Sequence, residues 1–210
     1  MIRRTRLLDR SVHQHDARFF VVATEGAETE PRYLHALQER DLVPRSRVKI
    51  HVLPTNEGRS APDHLAARID AFLHEYTLLP DDEVWLVLDT DLGTGNRIAQ
   101  LAALSTLCKQ KRWRLAVSHP CFELWLLLHV SDDLSAINNR CDSVGAALRA
   151  RLGAYSKSTT PDACLNVAAL DVATVRAAAL DPADSPWPTS AGTHVYKLLA
   201  ALRSTTLGPS

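Results

Sequence analysis

Val84-Trp85-Leu86-Val87-Leu88-Asp89-Thr90-Asp91 is a short apolar run that ends on two acids. An uninterrupted β-branched and aromatic run of this length reads as a strand covered on both faces, as in a parallel sheet. Residues two apart on a strand point the same way, so Asp89 and Asp91 can reach one ion. Mg²⁺ takes one or two carboxylates and completes its shell with water and phosphate oxygens. The plain alternative is a turn carrying two solvated acids. Phe19-Phe20-Val21-Val22-Ala23-Thr24-Glu25-Gly26 has the same build, an apolar strand ending on Glu25. Two such tips side by side form a hard-oxygen pocket suited to metal-assisted chemistry on phosphate.

Between and beyond these runs, strand and helix patterns alternate. A helix is expected over about 30–42, with Thr29 as N-cap and Pro31 in the first turn. Arg47 to Leu53 alternates as a strand. Leu65, Ile69, Phe72, Leu73 and Tyr76 fall at helical spacing after Pro62-Asp63. Glu83 to Leu88 is the next strand, followed by a Gly93–Gly95 turn and a helix marked by Ile98, Leu101 and Cys108. Trp113 to Val117 is a fourth strand and Pro120 to Val130 a very apolar helix. This order implies a doubly wound, mostly parallel four-stranded α/β sheet. With strand order 2-1-3-4, Glu25 and Asp89 meet at the switch point, where such sheets bind ligands. After residue 130 the pattern becomes helical, over 142–152, 162–180 and 193–203. The expected organisation is a basic arm over 1–17, an α/β core over 18–130, and a helical extension over 131–210 packed on that core.

The chain has 210 residues, 46% of them hydrophobic, enough to bury a full core. Lys plus Arg equals Asp plus Glu at 24 each, so no global basic charge marks a nucleic-acid binder. Arg3, Arg4, Arg6 and Arg10 are read as a solvated arm. Cys108, Cys121, Cys141 and Cys164 lack CxxC spacing, which argues against a zinc or redox motif. No segment is apolar enough to span a bilayer, so no membrane partner is expected; a cytoplasmic protein with free thiols is.

Several other residues are candidates. Glu25, before the permissive Gly26, suits a general acid/base or a second metal ligand. Glu28 is read as favouring the positive end of the next helix, and Glu30 either as that or as a crevice residue. Glu123 sits among bulky apolar neighbours and calls for pairing, metal binding or helix N-terminal amides. His129 is read as a core histidine. Lys157, in Tyr155-Ser156-Lys157-Ser158, is either solvated or placed to meet phosphate.

Three blocks carry a family resemblance: Val22 to Tyr33, Trp85 to Asp91, and Ser118-His119-Pro120-Cys121-Phe122-Glu123-Leu124-Trp125-Leu126-Leu127-Leu128-His129. Together with Tyr155-Ser156-Lys157 and Gly192 to Leu199, they resemble the RloB-like family over roughly Arg18 to Leu202. The resemblance implies a Toprim-like fold, a Mg²⁺- or Mn²⁺-dependent nuclease acting on DNA or RNA, and a role in bacterial antiviral defence beside an ATPase partner protein. It assigns Glu25 the acid/base role and Asp89 and Asp91 the metal; beside it, Glu30 and Glu123 are expected to complete the acidic cluster and Lys157 to offset phosphate charge. A homo-oligomer is compatible with it. The family pattern carries a third acid after the DxD, where this chain has Leu92, and Asn before Pro120, where it has His119. Glu30 or Glu123 would stand in for the missing acid. The competing expectation is a non-catalytic module that binds a partner within a defence complex.

Overall fold

The structure, a computed structural model, describes residues 6–7, 17–55, 62–90, 96–181 and 185–204. Strands β2 (Arg18–Thr24), β3 (Val48–Leu53), β5 (Glu83–Asp89) and β6 (Arg114–His119) form a parallel sheet in the order β3-β2-β5-β6. This is the expected 2-1-3-4 arrangement. A fifth strand, β7 (Gly192–Thr193), adds antiparallel to the end of β6, with Ser118 opposite Thr193. The sequence reading had placed Thr193 at the start of a helix; that helix, α7, spans Val195–Arg203. A separate two-stranded parallel pair joins β1 (Arg6–Leu7) to β4 (Tyr76–Thr77). Neither strand was expected, since two residues carry no readable period.

Strand alternation divides the core in two. Phe20, Val22, Trp85 and Val87 face a layer made by α1 (Thr29–Glu39), α4 (Glu123–Val130) and α7. Val21, Ala23, Leu86 and Leu88 face α2 (Pro62–Glu75) and α3 (Arg97–Lys111). With both faces covered, β2 and β5 must be apolar throughout, which is how they read in the sequence.

Helix α4 is buried all round, from Glu123 through His129. One side meets the sheet; the other is covered by α5 (Cys141–Leu152) and α6 (Val167–Ala179), through Val144, Leu148, Leu170 and Ala173. Its carbonyls are satisfied without water. His129 Nδ1 donates to Trp125 O at 2.8 Å, Cys164 Sγ to Leu126 O at 3.6 Å, and Arg176 Nη1 to Leu128 O at 2.8 Å. His129 is therefore a core histidine, and burial lowers its pKa to about 4. The helix begins at Glu123, not Pro120, and the expected helix over 162–180 splits. Asp162–Cys164 is a 3-10 turn, and Asn166 caps α6 by accepting Ala169 N–H at 2.9 Å. Among the described residues no helix is long and apolar enough to cross a membrane.

Leu127 is fully buried between the sheet and the outer helices. Leu127→Ala should cost about 2–5 kcal/mol. The check is urea unfolding, where the midpoint should fall with the slope unchanged. An unchanged midpoint would show that α4 is not packed on both sides.

Candidate functional site

β2 and β5 are neighbours, with Thr24 opposite Val87, so the residues that follow emerge at the same edge. Glu25 N–H donates to Val87 O at 2.9 Å, and Glu25 Oε2 accepts the amide of Asp89 at 3.1 Å. The two acidic tips thus touch at the point where strand order reverses. A buried arginine, Arg97, fastens them. Its guanidinium pairs with Glu25 Oε2, and its Nε donates to Asp89 O and Thr90 O, each at 3.1 Å. Arg97 opens α3, where a cation faces the positive helix end. That misplacement was a legible sign of a carboxylate partner, and the apolar spacing of α3 drew attention away from it.

Helices α1 and α4 bring further acids. Glu28, not Thr29, takes the N-cap position of α1, without a side-chain capping bond. Thr29 is the first helical residue, and its hydroxyl lies 3.4 Å from Glu123 Oε1. Glu28 reaches Arg32 at 3.9 Å. Glu30 is buried and turns back to accept Gly26 N–H at 3.1 Å. A Cβ on Gly26 would stand 2.2 Å from Glu30 Oε2, so glycine is required for this close approach. Glu123, also buried, receives Tyr155 OH at 3.2 Å and pairs with Lys157 Nζ at 3.3 Å. Glu25, Glu30, Asp89, Glu123 and Lys157 line one cavity of about 440 Å³. Asp91, with Leu92 and the Gly93–Gly95 turn, lies outside the described residues, as do His13 and His15. His119, at the end of β6, meets Thr90 Oγ1 through Nδ1 at 2.7 Å.

Crowding sets the proton affinities. Burial, then the charges of Glu30, Glu25 and Glu123, holds the Asp89 carboxyl well above the usual aspartate range. Burial raises Glu30, with Glu123 and Glu25 adding repulsion against the amides that favour its anion. For Glu123, burial pushes upward, but Lys157 and hydrogen-bond donors outweigh it and the net shift is downward. Lys157 shifts upward in return, the Glu123 charge overcoming burial.

Asp89 Oδ1 is closed off from solvent and has no hydrogen-bond partner. A hard cation would satisfy it, and the carboxylate donors around it have the right chemistry. Among the described residues no three acidic, histidine or cysteine side chains converge on one point, so the donor set is open and a full protein cage is not formed. Mg²⁺, which keeps several waters, suits such a set.

Two larger cavities, of about 590 and 570 Å³, lie near the amino ends of the strands and beside β6. Their ion pairs are internal: Arg18 and Arg114 with Glu83, Lys111 with Asp70, Lys197 with Asp181. The chemistry points instead to the smaller acidic crevice.

A carboxyl held above its unfolded pKa binds more protons in the folded state. Its contribution is therefore full below the ordinary aspartate value of about 4 and is lost as pH rises from there through the raised folded-state pKa. Asp89→Asn removes that penalty. Without divalent metal, the variant should melt above wild type at pH 7, with the gap closing towards pH 4. Each kcal/mol relieved is worth about 2–4 °C at this chain length. Matching midpoints at pH 7 would show that Asp89 is not held under strain. Gly26→Ala should destabilise by about 1–3 kcal/mol through overpacking against Glu30. In the background of Glu30→Ala, which opens that space, the same change should cost far less. An undiminished cost would place the clash elsewhere.

The family profile described as RloB-like protein matches residues 20–202. No curated protein and no solved structure matches the chain. The match spans most of the sequence and includes every element that builds the crevice: the chain belongs to the RloB-like family.

Proposed function

We propose that the crevice is the active site of a divalent-metal-dependent nuclease of Toprim type, cleaving phosphodiester bonds of DNA or RNA in antiviral defence. The observation that carries this reading is Asp89: a desolvated carboxylate with an unpartnered oxygen, set against Glu25 and Glu30 at a strand switch point. Nothing about the fold needs an acid in that state.

In this reading Asp89 and Asp91 hold Mg²⁺ or Mn²⁺, with Glu30 and Glu123 completing the acidic cluster. The bound ion would polarise a phosphoryl oxygen and lower the pKa of its water. Glu25, oriented by Arg97 and the Asp89 amide, is the general base that takes a proton from the attacking water. Lys157 is exposed beside Glu123, where it offsets phosphate charge. A chain with equal numbers of acidic and basic residues needs this local cation to admit a polyanion. An ATPase partner would then control access or timing. The second reading, a partner-binding module without catalysis, is favoured by one observation, a formal net charge of zero that offers a polyanion no overall attraction.

Asp89→Ala should lower Mg²⁺-dependent cleavage of DNA or RNA by about a hundredfold or more. Far-UV circular dichroism should be unchanged. Wild type should also melt higher with metal, by the equivalent of about 2.7 kcal/mol at a hundred times the dissociation constant. Full cleavage by Asp89→Ala defeats the assignment, and no metal-induced shift at millimolar concentration favours the binding module.

A further inference from the structure

Taking the crevice as the metal site proposed above, we infer that it holds one divalent ion, with Asp89 and Glu30 among its ligands, and that Arg97 occupies the place of a second. The charge distribution carries this. Five described carboxylates line the crevice: Glu25, Glu28, Glu30, Asp89 and Glu123. Three come with a protein cation. Glu25 has Arg97, Glu28 has Arg32, and Glu123 has Lys157. Among the described residues, Asp89 and Glu30 have no ion pair, and Asp89 Oδ1 has no hydrogen-bond donor either. Among the described carboxylates of the crevice, these two are left for a metal ion.

The cations differ in kind. Lys157 and Arg32 are exposed on flexible stems and can swing away from their acids. Arg97 is buried and held at both ends, by Glu25 on one side and by the carbonyls of Asp89 and Thr90 on the other. Its guanidinium is always charged. Expelling it to seat a metal on Glu25 would strand two carbonyls and a buried cation, which is costly. Glu25 is thereby kept as a base facing the ion, while Glu30, held by backbone amides and by no protein cation among the described residues, can ligate. Carboxylates with the remainder water and phosphate make an ordinary Mg²⁺ shell. Arg97 is thus a positioning residue that sets the ion count.

The test counts Mn²⁺ per chain on the intact protein, by calorimetric titration and by electron paramagnetic resonance of the unbound ion. Wild type should bind one. Arg97→Lys should still bind one, and Arg97→Met, with a cation removed, should bind a second. A folded Arg97→Met that still takes one ion overturns the role given to Arg97. If that variant fails to fold, two carboxamide variants decide. Glu30→Gln should weaken Mn²⁺ by about tenfold or more, the scale of losing a group that supports a metal. Glu25→Gln should change affinity by only a few-fold, because Glu25 answers to Arg97. Equal losses from the two would make Glu25 a ligand and sink the inference. Two ions on wild type would also sink it while leaving the nuclease reading standing. No bound ion on wild type removes both.

Discussion

Because β2 and β5 pair in parallel with Thr24 opposite Val87, the chain must deliver Glu25 and Asp89 to the same edge of the sheet. Parallel neighbours end together, so the acids cannot be spread to opposite ends as an antiparallel hairpin would spread them. Burial withdraws the carboxyls of Asp89 and Glu30 from water there, and like charges repel more strongly where water is scarce. Arg97 answers part of that repulsion. It also ties the end of β5 to the start of α3 through the carbonyls of Asp89 and Thr90.

The helices hold the remaining acids by the same logic. Glu30 and Glu123 each sit in the first turn of a helix, α1 and α4, whose positive ends point into the crevice. Each helix anchors its acid with a buried apolar face. α1 lends Tyr33, Leu34 and Leu37 to the core, and α4 lends Leu124 to Leu128. Tyr33 packs edge-on against Phe122 and Trp125, joining the two helices a turn away from the acids. The outer helices α5 and α6 gain their purpose here. Without them α4 would expose a leucine face, and the position of Glu123 would loosen. A site on element ends gripped this way is more rigid than one on loops.

The sheet order and both acidic tips were legible because their signals are local: a continuous apolar run, a terminal carboxylate, a helical period between strands. Glu30 stood equally between helix dipole and crevice in the sequence, and only the Gly26 contact decides it. What escaped notice was set by partners distant in the chain. Arg97 looks like an ordinary first-turn residue until Glu25, from another strand, is beside it. β7 is two residues long and exists because the end of β6 offers an edge. Thr29 matches a capping residue by type, yet its hydroxyl turns to Glu123, in a helix nearly a hundred positions on. Propensity described each of these correctly in isolation, and tertiary contact overrode it.

The two ends of the sheet treat buried acids in opposite ways, and that contrast separates structure from function. At the amino end, Glu83 is gripped by Arg18 and Arg114 and takes the Trp85 indole N–H at 2.9 Å. Asp82 accepts the amides of Phe19 and Leu79 at 2.8 and 2.7 Å. Near β7, Asp181 gathers His194, Tyr196 and Lys197. Each is fully answered, as a buried acid kept for structure must be. At the carboxyl end, Asp89 is as deeply placed and has an oxygen with nothing to bind. The same chain answers these three acids with cations and donors, and the incomplete set at Asp89 stands apart from them. In the resting state a raised proton affinity answers part of that cost, and the proposed metal would answer the rest.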